Sequence, residues 1–174
     1  VFARIMNAKH LALFLDFDGV LSPILRDHRK ALIGERTKKL LAACAKQFFV
    51  AVISGRALKD VRLRVGIRGL SYGGNHGLEW KFDSKNFSVP ISISRRRALV
   101  MFLRDCQVLS KQFPGLSLED KGLTVSIHYR MVSPRIRKHA ITASSKILDT
   151  YVRDGTLTIV GGYMLFNIRP NVQW

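Results

Sequence analysis

Two kinds of hydrophobic pattern divide the chain. Up to about residue 73, continuous apolar runs alternate with helix-period segments. "LALFLD" (11–16) predicts a buried strand, "GERTKKLLAACAKQ" (34–47) a helix and "FFVAVIS" (48–54) a second buried strand. A short helix near 57–64 and a strand near 69–73 follow. Strands that are apolar on both faces and alternate with helices predict parallel pairing in a layered α/β sheet. In such sheets ligands sit beyond the carboxyl ends of the strands, where Asp16, Asp18 and Ser54 fall.

From about residue 78 the pattern changes. Residues 93–113 read as a long helix, with Ala98, Phe102, Leu109 and Phe113 near the helical repeat. "LSLEDKGLTVSIHYR" (116–130) reads as a strand, a turn at Lys121-Gly122 and a second strand. A further helix over 134–151 carries Ile136, Ala140, Ile147 and Tyr151, and the final segment predicts a hairpin turning at Gly161-Gly162. Hairpins with helices on one face make an α+β unit. The expected organisation is therefore the first part of an α/β core over 1–77, an α+β cap over 78–168, and the start of a return to the core over 169–174.

Composition narrows the class. With 174 residues and 47% hydrophobic content, the chain can bury the core of one domain or of a domain with a smaller insert. No apolar stretch approaches the ~20 residues that span a bilayer, and the first residues lack a secretory core, so a cytoplasmic protein with no membrane partner is expected. Cys44 and Cys106 fall on apolar faces of predicted helices and read as buried free thiols. The formal charge of +17, from 29 Lys and Arg against 12 Asp and Glu, predicts attraction to polyanions. The cations are spread along the chain, apart from "SRRRAL" at 94–99, and no aromatic stacking platform lies among them. A generally basic surface and an anionic, phosphorylated substrate are expected rather than a nucleic-acid partner.

An Asp after a strand ordinarily serves a turn or a helix cap. Here two aspartates one residue apart are followed by Gly19, which permits a sharp turn that exposes both. Asp16 and Asp18 could then share a divalent cation, one carboxylate attacking phosphorus while the other moves a proton.

"DFDGVLSP" (16–23) resembles the first signature of the haloacid dehalogenase-like phosphatases, and "VISGR" (52–56) is similar to their second. "YGGNHGLEW" (72–80), "LEDKGLTVSIHYR" (118–130) and "GGYMLFNIRPNVQW" (161–174) resemble the trehalose-6-phosphate phosphatase branch of that superfamily. The resemblance implies an α/β fold, a haloacid dehalogenase-like Rossmannoid core with an incomplete parallel sheet, and an α+β cap. It implies a magnesium-dependent phosphatase that hydrolyses trehalose 6-phosphate, a phosphorylated disaccharide, through an aspartyl-phosphate intermediate. Asp16 would be the nucleophile and Asp18 the acid/base, with Asp16 and Asp18 also binding Mg2+, the latter through its backbone carbonyl. Ser54 would hold a phosphate oxygen, although a helix cap is the ordinary role for such a Ser. Arg56 would stabilise the anionic site or form a structural ion pair. Asn75 and His76 would sit at the substrate cleft. Glu119, Lys121, His128 and Arg130 would bind sugar hydroxyls and the phosphate ester, where periodicity alone favours a solvated hairpin with cross-strand charge pairs.

Two positions depart from the family pattern: Asn167 stands where a Glu is common, and Tyr163 where a Lys often follows the last glycine. Asn167 can still hydrogen-bond a hydroxyl, and the change admits other sugar phosphates as substrates. The family's later Lys and acidic Gly-Asp-Asp cluster do not occur before Trp174. A fragment or truncated phosphatase, weakly active or inactive alone, is therefore expected, with an exposed edge of the core sheet able to associate. A non-catalytic basic module that binds nucleic acid is the reading from a different class.

Overall fold

The computed structural model describes residues 10–172. The chain forms two compact units, dividing between Val89 and Pro90. No described helix is long and apolar enough to cross a membrane.

In the first unit, β1 (Ala12–Asp16), β2 (Phe49–Ile53) and β3 (Ser71–Gly74) run parallel, and β4 (Glu79–Phe82) and β5 (Lys85–Ser88) continue the sheet antiparallel, in the order β1-β2-β3-β4-β5. The crossovers are α1 (Glu35–Ala45) and α2 (Leu58–Val65). Leu58, Val61 and Val65 of α2 repeat at helical spacing and are buried, and Leu41 of α1 joins them against Val50, Val52 and Tyr72. α2 stops at Gly66, whose φ of 65° is left-handed, and its N–H returns to the Arg62 carbonyl.

The sheet was expected to be apolar and covered on both faces. Among the described residues, the helices cover only one. On the other, Phe14 is 63% exposed, and its ring lies 5.8 Å from Phe49, which in turn lies 5.9 Å from Phe82. The unit also runs further than the expected boundary at 77, because β4 and β5 pair onto β3 and carry it to Val89.

In the second unit, β6 (Ser117–Asp120), β7 (Val125–His128), β9 (Leu165–Pro170) and β8 (Leu157–Gly162) form an antiparallel sheet in that order. α3 (Ile93–Gln112) and α4 (Pro134–Arg153) bury Phe102, Cys106 and Leu148 against Val125, Ile127 and Ile168. Phe102 meets Tyr151 edge-on at 5.6 Å. Cys106 is buried, which pushes its thiol up to about 12, and Cys44 is half-buried; both are free. The last hairpin turns at Tyr163–Met164 rather than at its glycines, because Gly162 still pairs with Leu165. Arg169 and Pro170 remain in β9, opposite Thr158 and Leu157, so the expected return of the chain at 169 is not yet under way there. Residues 173–174 of that expectation lie outside the described residues.

Candidate active site

β1 ends at Asp16, which pairs with Ile53 of β2, so Asp16 and Ser54 leave neighbouring parallel strands at the same end of the sheet. The Asp16 side chain takes the Phe17 N–H on Oδ1 at 2.8 Å and otherwise reaches the surface. The protein behind it still desolvates the carboxyl enough to raise it above the usual carboxylate range. Repulsion from Asp18 adds to that rise, and the Phe17 N–H offsets part of it.

Asp18 is held differently. Arg56 Nε donates to its Oδ2 and Nη2 to its Oδ1, both at 2.8 Å, in a two-pronged ion pair. The same guanidinium donates from Nη1 to Asp60 Oδ2 at 3.1 Å and from Nη2 to the His28 carbonyl at 2.8 Å, and its carbon lies 5.2 Å from the centre of the Phe17 ring. Burial works against the charge of Arg56, yet the bonds to Asp18 and Asp60 hold its proton more firmly than in a free guanidinium. Arg56 is 5% exposed. Arg56 thus forms the structural ion pair that was one of the two expectations for it, and positions Asp18.

Asp60 and Glu79 were not found from the sequence. Asp60 takes hydrogen bonds from Arg56 and, at 2.8 Å, from Arg64. Burial pulls its carboxyl upward, but these bonds outweigh it and leave Asp60 below the usual range. The signal was present, since Arg56, Asp60 and Arg64 stand four residues apart, a spacing that stacks charges along a helix. Glu79 accepts the Leu58 N–H at 3.1 Å at the start of α2 and a bond from the Asn75 amide. No sequence spacing pointed to it.

Ser54 is buried. Its N–H reaches the Gly73 carbonyl at 3.0 Å, and its hydroxyl oxygen accepts the Arg56 N–H at 3.1 Å, leaving the hydroxyl proton for another acceptor. Asn75, expected at the substrate cleft, is fully buried and turned to Glu79, which makes it part of the framework. His76 lies against Gly55, where a Cβ would come within 2.5 Å of the imidazole. Asn75, His76 and Gly77 all have positive φ, 49°, 56° and 89°, so the chain after β3 is a strained left-handed turn.

In the second unit, the sheet face away from the helix-packed core residues is polar. Glu119 pairs across with Ser126, and Ser126 with Asn167. Glu119 Oε2 lies 2.8 Å from His128 Nε2 and 3.9 Å from Lys121 Nζ, while the Ser126 hydroxyl donates to Asn167 Oδ1 at 2.6 Å. Arg130 lies beyond the end of β7 rather than on the strand with His128. It donates to the Tyr163 carbonyl at 3.1 Å, with its guanidinium 5.0 Å from the Tyr163 ring centre. Glu119, Lys121 and His128 are thus brought together, Asn167 sits in the adjoining row, and Arg130 stands apart with Tyr163.

A magnesium ion takes about six oxygen donors in near-octahedral geometry. The Asp16 carboxylate is open to such an ion. The side chain of Asp18 is not, because Arg56 holds both of its oxygens. In this arrangement the two carboxylates are not both free to meet a shared cation.

Residues 14–174 match the family model for trehalose-phosphatase. The chain belongs to the trehalose-phosphatase family. Relatives include a probable trehalose-phosphate phosphatase I of Arabidopsis thaliana, 31% identical over 99% of this chain and 50% of that protein. A trehalose-phosphate phosphatase of Mycobacterium tuberculosis is 31% identical over 96% of this chain and 42% of that protein. The chain thus spans about half the length of the curated relatives it matches. Among solved structures, the C-terminal domain of a C. albicans trehalose-6-phosphate phosphatase superposes with a TM-score of 0.84 at 18% identity, covering 97% of this chain and 60% of that one. A trehalose-6-phosphate phosphatase related protein gives 0.75 at 20% identity, covering 92% and 68%. These likenesses show that the chain shares the α/β fold of those structures, with its parallel β1-β2-β3 arrangement.

Proposed function

We propose that the chain carries the phosphoryl-accepting part of a trehalose-6-phosphate phosphatase. One observation supports this reading above the rest: an open carboxylate, Asp16, ends a parallel strand two residues before a second carboxylate, Asp18, that Arg56 grips by both oxygens. Two acids of one type are thereby given different environments, which is how separate roles are assigned to them.

In this reading Asp16 Oδ2 attacks phosphorus in line, and the bond from phosphorus to the sugar oxygen breaks. To act as the acid, Asp18 must leave Arg56 and enter the step protonated; it then gives that proton to the departing oxygen and takes one from the water that cleaves the acyl phosphate, which returns Asp16 and releases phosphate. Desolvation raises Asp16 above the usual carboxylate range, which makes its carboxylate a more basic nucleophile than an exposed one. The free hydroxyl proton of Ser54 is a donor for a phosphoryl oxygen. Magnesium, held by the Asp16 carboxylate and the Asp18 main-chain carbonyl, would supply positive charge against the phosphoryl oxygens. The polar row Glu119, His128, Lys121 and Asn167 offers donors and acceptors of the kind that sugar hydroxyls need.

The test is phosphate release by the protein from trehalose 6-phosphate and from a panel of other sugar phosphates, with and without magnesium, for wild type and Asp16→Asn. Release from trehalose 6-phosphate that falls by roughly a thousandfold or more in the variant is expected. Equal rates above background in both proteins overturn the aspartyl-phosphate reading. Preference for another sugar phosphate replaces the substrate but keeps the chemistry.

A further inference from the structure

A second cleft lies in the first unit, away from Asp16, Asp18 and Ser54, none of which lines it. It has a volume of about 740 Å³ and opens between α2, the 66–70 connection and the β4–β5 turn. Four cationic side chains line it: Lys59 and Arg62 from α2, Arg68 from the connection and Lys81 from β4. A single carboxylate, Asp83, faces them, a net of +3. Lys81 Nζ donates to the Asp83 carbonyl. Lys59, Arg62 and Arg68 make no ion pair among the described residues. Lys59 and Arg62 also line an adjoining cleft that extends along α2 to Glu79, Phe87 and Ser88, which brings a second carboxylate and no further cation.

A purely structural role explains part of this. Arg62 in the last turn of α2 complements the negative end of the helix. It does not explain why α2 and the connection bring three unpaired cations to one concavity beside Lys81 of β4, which raises the potential there above that of a flat basic surface. The wall between the cations is apolar, with Leu63 and Ile67, and Tyr72 is fixed as one side of the cleft by its hydroxyl bond to the Ile67 carbonyl at 2.8 Å.

We propose that this cleft binds a condensed phosphate chain, as carried by a nucleoside triphosphate or by inorganic tripolyphosphate. A linear triphosphate carries several anionic groups along its length, so it can engage cations supplied from α2, the connection and β4, and its charge answers the net +3 of the lining. The apolar wall is available to a nucleobase.

The test is calorimetric titration of the chain with tripolyphosphate, ATP and inorganic phosphate at physiological salt. Saturable one-to-one binding of tripolyphosphate, with inorganic phosphate much weaker, is expected. Lys59→Ala with Arg62→Ala, both exposed, should weaken it by at least about tenfold, the loss of two charge-assisted contacts. Arg96→Ala with Arg97→Ala removes the same charge from the exposed start of α3 and should change affinity less than about twofold. ATP and tripolyphosphate bound alike identify the phosphate chain as the recognised element; tighter ATP adds the base to it. Equal weakening by the two double variants, or inorganic phosphate bound as tightly as tripolyphosphate, overturns the proposal. Thermal melts of both variants confirm that each is folded.

Discussion

Arg56 carries more of the local structure than either aspartate it serves. Its guanidinium satisfies Asp18, Asp60 and the His28 carbonyl at once. Arg56→Ala strands those groups and should cost about 2–4 kcal/mol in chemical denaturation. Arg56→Lys should recover only part of that loss, because an ammonium cannot make the two-pronged contact. The two perturbed carboxyls give opposite pH signatures. Asp60 is depressed in the folded state, so its stabilisation is complete above the unfolded value near 3.8 and disappears as pH falls through the folded value. Asp60→Asn should therefore weaken the protein at neutral pH and shrink its acid-side loss. Asp16 is raised, so ionising it opposes folding at neutral pH and that cost vanishes in acid. Asp16→Asn should be more stable than wild type at pH 7, with the difference closing as pH falls through the raised folded value and gone below about 4, as followed by urea titration across pH. Asp16, Asp18 and Ser54 were legible because strand ends and residue type announce them. The enclosure of Arg56 and Asn75 was not, since their partners Asp60 and Glu79 are set by how α2 docks on β3 and β4.

Regular elements were legible where burial has a period. α1, α2, α3 and α4 lie within a few residues of their predicted spans, because each keeps one apolar face. β5 was missed, and its residues are all exposed: its strand character comes from pairing with β4, not from a buried face. The glycines at 161 and 162 drew the predicted turn toward themselves, but register is settled by the pairing of β8 with β9. Gly74 is the tightest joint between a strand and a helix in the first unit. A Cβ there would lie 2.5 Å from the Leu58 nitrogen and 2.6 Å from its Cα, both backbone atoms that cannot swing aside. Gly74→Ala should lift the start of α2 from β3 and cost about 2–4 kcal/mol, with Ser54 and Arg56 displaced. A melt unchanged from wild type would show that this junction yields more easily than the geometry implies.

At the scale of the molecule, charge and apolar surface oppose one another. β1 has β2 on one side and no described strand on the other, and Phe14, Phe49 and Phe82 lie on the open face. Copies of a chain with a formal charge of +17 repel at low salt. Self-association should therefore increase as salt rises and screens that repulsion, the reverse of the salt dependence of polyanion binding. Sedimentation velocity at low and high salt measures it, and Phe14→Lys with Phe82→Lys should hold the protein monomeric at both. The long connection between β1 and α1 includes a short 3-10 turn, His28–Lys30, and it is fastened by arginines from elsewhere: Arg56 holds the His28 carbonyl, and Arg64 those of Arg29 and Ala31. Arg26, Arg29 and Lys30 stand exposed along it. Backbone tethering rather than burial should therefore protect Arg29 and Lys30 from trypsin, and Arg64→Ala should make this segment the first point of cleavage while the rest of the unit remains intact.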